Sequence, residues 1–280
     1  MIMQSATILG SEVRDLKSVH TGREYRITIS LPYAYHQPWP TGFPTTNALT
    51  QWPVVYLLDA NWFYGMVTDI TRNMAWCGRT TDAIVVGIGY PTDGDMQNQF
   101  LEVGARRRLD LLPVRDEAQD EEWNKTCMRP SPSGDAAGFH QFLRDELIPL
   151  IEKDYRADPA RRVLVGHSYA GLFGAFALLH EPELFDAYVV ASPSLWVSNR
   201  WLFKQEEAYF QEHKRLKTRV YLSAAEWEDR IVTGMFDFAA VLGTRNYEGL
   251  TLIKQYFANM NHCEVVAPAF HAGLLWALSK

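Results

Sequence analysis

A few short, uninterrupted apolar runs limit this chain more than any other feature. They are Pro53 to Leu58 (PVVYLL), Ala83 to Gly89 (AIVVGIG), Arg162 to Val165 and Ala187 to Ala191 (AYVVA). Each is too short for a globular helix and, apart from the Arg162 that opens the third, has no polar position, so each reads as a strand covered on both sides. Helical patterns lie between them. Phe63 to Met74 is one. In Ala136 to Tyr155, Phe139, Phe142, Leu143, Leu147, Ile148 and Ile151 recur at three- and four-residue spacing. The Ala- and Leu-rich LFGAFALLH is a third. Further on, Arg219 to Leu222 and Leu250 to Tyr256 read as strands. Residues 199 to 215, Ile231 to Leu242 and Pro268 to Leu278 read as helices. Strands alternating with helices predict an α/β fold with a mostly parallel central sheet and helices on both faces.

Arg23 to Leu31 alternates in side-chain type and stops at Pro32, which adds an early strand. Residues 32 to 52, rich in Pro, Thr and aromatics, read as a loop. Residues 91 to 135 show little periodicity, and a stretch that long suggests a lid or binding loop. Pro149 is expected to kink its helix. No internal repeat or linker divides the chain, so residues 1 to 280 are expected to form a single domain.

Composition excludes several functions. The 280 residues are 47% hydrophobic and carry a formal charge of -6, with no basic run longer than Arg106, Arg107 and Arg108. Nucleic acid is therefore not an expected partner. Cys77, Cys127 and Cys263 are odd in number and scattered, which fits neither a disulfide framework nor a zinc site. No metal or cofactor is expected. The N-terminal segment lacks the charge and apolar pattern of a signal peptide, and no run is long enough to span a membrane. A cytoplasmic monomer or homodimer is the expectation.

The chemistry concentrates in VLVGHSYAG, Val163 to Gly171. Gly166-His167-Ser168-Tyr169-Ala170, a Gly-x-Ser-x-Ala form of the Gly-x-Ser-x-Gly pattern, lies between a buried strand and a helix, the setting of a nucleophile elbow. The turn is so tight that small residues are needed two positions before and after the serine. Ser168 is thereby presented at a helix N-terminus, with the Tyr169 amide facing a developing oxyanion. The blander reading is a tight turn with an idle serine. His167 is expected to pack or hydrogen-bond beside the elbow.

In this architecture the base comes last, after the final strand. His262 lies in the loop there, whereas His271 falls within the closing helix. The acid is expected after the strand ending at Leu222, where Glu226, Glu228 and Asp229 fall within four positions. Any of them could fix the His262 tautomer, and the others could favour the following helix start. A second oxyanion donor is expected after Leu58, from the amide of Asn61 or Ala60. Asp59 either orients that loop or is an ordinary strand-end carboxylate.

The chain resembles the esterase family that includes esterase D-like enzymes and the siderophore trilactone hydrolases acting on enterobactin, salmochelin and bacillibactin. The matching stretches are PVVYLLDANWF, the long segment from FHQFLRDELIPLIEKDYRADPARRVLVGHSYAG through ASPSLW, YLSAAE, and NHCEVVAPAFHAGL. RRRLDLLP also resembles a family feature. The resemblance implies an α/β-hydrolase fold and cofactor-free ester hydrolysis, with Ser168 as nucleophile and His262 as base. It implies Glu226 as the acid, through a Gly-x-x-Glu-like segment that here reads Ser223-Ala224-Ala225-Glu226. An Asp-Gly in the oxyanion loop is here Asp59-Ala60. Small-molecule esters are the implied substrates, catecholate trilactones among them, with Arg106, Arg107, Arg108 and Arg129 as candidates for binding anionic aromatic groups. The alternative class is a noncatalytic binding protein that keeps the fold and lacks a working triad.

Overall fold

The computed structural model describes residues 7–37 and 49–279. Part of the expected 32–52 loop, residues 38–48, lies outside the described residues. One eight-stranded sheet forms the centre: β1 (Ser11–Lys17), β2 (Glu24–Ser30), β3 (Trp52–Leu57), β4 (Ile84–Gly89), β5 (Ala157–His167), β6 (Ala187–Ala191), β7 (Arg215–Ala225) and β8 (Glu248–Phe257). Their order across the sheet is β1-β2-β4-β3-β5-β6-β7-β8. The β1–β2 and β2–β4 pairs are antiparallel, and all others are parallel. The chain thus has the mostly parallel α/β architecture foreseen from the apolar runs, in the α/β-hydrolase form that the family resemblance implies.

Those runs are apolar throughout because both faces of each strand are covered. In β3, Val54 and Tyr56 enter one buried cluster, and Val55 and Leu57 enter the other. The helices α1 (Ala60–Trp76) and α9 (Val266–Leu278) cover the second face, with Val67, Phe270 and Leu274 among their buried residues. The first face is covered by α4 (Ala136–Phe142), α5 (Ile148–Asp154), α6 (Tyr169–His180), α7 (Val197–Glu212) and α8 (Arg230–Thr244).

Three features depart from the sequence expectation. β1 was not foreseen. It is a mostly exposed edge strand bearing Glu12, Arg14, Asp15 and Lys17, charges that discourage pairing with another chain. The 91–135 stretch holds two helices, α2 (Met96–Leu111) and α3 (Glu117–Cys127). Their buried faces include Arg107, Arg108, Asp110 and Asp120, so no apolar stripe marks them. Between α4 and α5 the irregularity is a π-helical turn, Leu143–Leu147. Pro149 cannot donate to the carbonyl four residues back, Asp145, and that carbonyl lies within the wider turn. Among the described residues no helix is long and apolar enough to cross a membrane.

Candidate active site

The site is assembled at the carboxyl ends of the central parallel strands. Ser168 sits between β5 and α6 with φ 64° and ψ −120°, a backbone conformation that L side chains rarely adopt. Its neighbours make the turn possible. A Cβ on Gly166 would collide with the main chain of Ala170. One on Gly171 would lie 2.7 Å from the carbonyl oxygen of Ala191. The strained serine is held from both sides: its amide donates to Ala191 O at 3.1 Å, and its carbonyl accepts from the Ser194 and Leu172 amides. Its Oγ lies 3.5 Å from Ser194 Oγ.

His262 lies between β8 and α9, as expected. Its Nδ1 is 2.5 Å from Glu228 Oε1. Glu228 is buried, and its other oxygen accepts from Ser192 Oγ at 2.9 Å and the Ala225 amide at 2.5 Å. All its acceptor capacity is thus directed, which holds the carboxylate still beneath the imidazole. The expectation that Glu226 meets the histidine is corrected here. Glu226 is exposed, and its Oε2 accepts from the Asn259 amide at 2.7 Å. The segment past β7 stays paired with the chain past β8 through Glu226 N to Phe257 O and Trp227 N to Met260 O. This pairing leaves Glu226 outward and turns Glu228 inward. Asp229 is also exposed; it stands before α8 with φ 41° and its side chain makes no cap hydrogen bond. His271 is exposed on α9.

The expected oxyanion donors have a shared structural cause. β3 and β5 are parallel neighbours, with Leu57 beside Val165. α1 begins shortly after β3 and α6 shortly after β5, so their N-termini stand side by side with first-turn amides unclaimed by helix bonding. Ala60 and Asn61 open α1, and Tyr169 opens α6. The Asn61 side chain does not face this space as a donor. It clasps the end of β4, donating from Nδ2 to Tyr90 O at 2.9 Å and accepting the Tyr90 amide at 2.8 Å. Asp59, with φ 55°, shapes the turn into α1.

The four candidate arginines are used differently from the substrate-binding expectation. Arg107 is buried and makes a two-pronged ion pair with Asp59, at 2.8 and 2.6 Å. It therefore locks the turn that bears Ala60 and Asn61. Arg108 is fully buried, bonded to Ser131 O and Asp120 Oδ1 at 3.1 and 2.7 Å. Arg106 reaches the carbonyls of Pro91 and Glu24, and Arg129 reaches Asn98 Oδ1 and Cys127 O. All four are engaged in holding the chain together.

A different cation stands at the site. A cavity of about 430 Å³ is lined by Trp123, Tyr169, Trp196 and Arg230, with Gln119, Glu122 and Thr126 completing its wall. The Arg230 guanidinium lies 3.6 Å over the Trp196 ring. Among the described residues no carboxylate pairs with it within 4.0 Å. Sequence reasoning missed Arg230 and both tryptophans because they come from three separate segments; the abundance of aromatics was the only signal.

Sequence comparison matches residues 18–237 to the family described as "Putative esterase". The ferri-bacillibactin esterase BesA of Bacillus subtilis strain 168 is 32% identical over 264 residues, covering 92% of this chain and 83% of that protein. A siderophore enterobactin esterase of Emericella nidulans is 30% identical, over 66% of this chain and 58% of its own length. Among solved structures, the BES protein from Bacillus cereus superposes with a TM-score of 0.81 at 27% identity, covering 100% of both chains.

Proposed function

The chain belongs to the esterase family, and from that premise we propose that it is a serine esterase acting through an acyl-serine intermediate. One observation carries the reading. The base candidate His262, oriented by buried Glu228, packs its ring at a tilt against that of His167, the residue immediately before the strained Ser168. With Nδ1–H donated to Glu228, the lone pair of His262 Nε2 is left to take the Ser168 proton. Oγ attacks the ester carbonyl, and the main-chain amides of Tyr169 and of Ala60 or Asn61 receive the oxyanion. Collapse expels the alcohol, protonated by the imidazolium. Water activated by the same imidazole then releases the acid and regenerates the serine. No step calls for a metal or cofactor.

The cavity beside Tyr169 favours a more specific reading, an aryl-bearing siderophore ester. Two tryptophans offer faces for stacking, and Arg230 supplies positive charge for an oxygen-rich ring. The relatives named as bacillibactin and enterobactin esterases support this choice.

The first test is labelling with a reactive fluorophosphonate, followed by intact-mass and peptide analysis. A single adduct on Ser168, absent in Ser168→Ala, is the expected result. No adduct on folded wild type, with a control hydrolase labelled in parallel, would leave the binding-protein reading in its place.

A further inference from the structure

His167 is buried to 95% at the end of β5, yet the ester chemistry above assigns it no step. Its ring centroid lies 4.3 Å from that of His262, with 37° between the planes. The His262 main-chain carbonyl also lies near the same ring. Phe63 closes the other side edge-on, at 6.3 Å. His167 Nε2 has no partner among the described residues. That distribution fits a ring protonated on Nδ1, the nitrogen left to serve the carbonyl.

We infer that His167 is a positioning residue for His262, gripping both the ring face and the main chain of the base from the peptide that carries the nucleophile. The inference rests on the serine-esterase reading. The physical need is plain. Glu228 holds only one edge of the imidazole, and a ring held at one edge can still swing about that bond. His262 keeps 37% of its side-chain surface exposed, so packing alone does not fix it. The His167 ring, tilted against that of His262, blocks the swing, and its approach to the His262 carbonyl sets the loop after β8 against the elbow. Base and nucleophile then move as one unit.

Charge is consistent with this role. Burial, then the neighbouring His262 and Arg107, push the His167 imidazole well below the usual histidine range. It stays neutral, so an imidazolium forming on His262 meets no like charge across the contact. The charged groups facing this pair are Glu228 beneath His262 and Arg107, itself paired to Asp59.

Two variants separate the aromatic plane from the polar ring nitrogen. His167→Phe keeps an aromatic plane and loses the donor; His167→Gln keeps a donor and loses the plane. Each is expected to lower kcat on a simple aryl ester on the order of ten- to a hundredfold, with KM within about twofold. A second readout needs no turnover: the far-downfield proton resonance expected of an Nδ1–H bonded to a carboxylate should shift or broaden in both variants. Lower thermal stability with unchanged kcat and resonance would show a merely structural histidine and overturn the inference. Should one variant fail to fold, the other carries the same test. If Ser168→Ala retained wild-type activity, the esterase reading itself would fail, while the resonance would still report on the grip.

Discussion

At the residue scale, the decisive contact is between His262 Nδ1 and Glu228, because it selects one carboxylate from three in four positions. Glu228 is buried and bonded to Ser192, Ala225 and His262, whereas Glu226 is exposed and serves a loop amide. Replacing the carboxylate by an amide removes the charge that stabilises the imidazolium and lets the wrong tautomer form. Glu228→Gln is therefore expected to lower kcat on the order of 10³- to 10⁴-fold. Glu226→Gln, an exposed change away from the reacting groups, should stay within about threefold. Steady-state kinetics on the two proteins decides the matter; equal losses, or the reverse order, would remove Glu228 from the acid role. The candidate site was half legible at this scale. Ser168 and His262 announce themselves through a turn and a loop position that local chain geometry requires. The choice of acid depends on how the segment after β7 pairs with the chain after β8, and nothing local in the sequence encodes that pairing.

At the element scale, α2 explains why the 91–135 stretch looked structureless. A helix normally shows itself by an apolar stripe. Here the buried positions include Arg107, Arg108 and Asp110, each supported by a partner elsewhere in the fold. Arg108 fixes α3 through Asp120 and the segment after it through Ser131, and lies 5.2 Å over the Trp123 ring. Arg108→Met would remove the buried counter-charge of Asp120, leaving it the Ser133 amide at 3.3 Å and exposed Arg115 at 4.0 Å. Breaking such a pair costs about 3–5 kcal/mol. Urea unfolding should report a loss of that order. A variant as stable as wild type with only a raised KM would instead restore the substrate-binding role expected from sequence. The strands behave oppositely: β3, β4 and β6 were legible because both their faces meet hydrocarbon, while β1 was not, since an edge strand need not be apolar.

At the scale of the whole molecule, several buried ionisable groups lie within the protein, and His140 makes a testable case. It sits on α4 against the Phe176 and His180 rings, with neither ring nitrogen partnered among the described residues. Burial, followed by the nearby His180 and Arg144, pushes its pKa down to about 4. The unfolded chain thus binds the extra proton below the usual histidine value of about 6.5. Its contribution to stability is present above that value and is lost as pH falls towards about 4. Burial acts in the opposite sense at Asp82 and Asp110, each raised to about 6, so the total stability curve mixes the signs. Comparing wild type with His140→Phe isolates one term. Between pH 7 and 4.5 the wild type should lose more unfolding free energy than the variant. Parallel losses in the two proteins would show that His140 is not held neutral.

What the sequence by itself determined is whatever depends on neighbours along the chain. Apolar runs without a polar face imposed a sheet covered on both sides. Gly166 two before Ser168 and Ala170 two after it allowed a turn that only small residues permit, and chain order brought a histidine after the last strand. Tertiary structure alone decided which groups meet across the fold: Glu228 with His262, Arg107 with Asp59, Arg230 with Trp196, and His167 with His262. The reason is physical. Local conformation follows from sterics and periodicity within a few residues, whereas the partner of a buried charge is set by strand order and register, which join segments tens of residues apart.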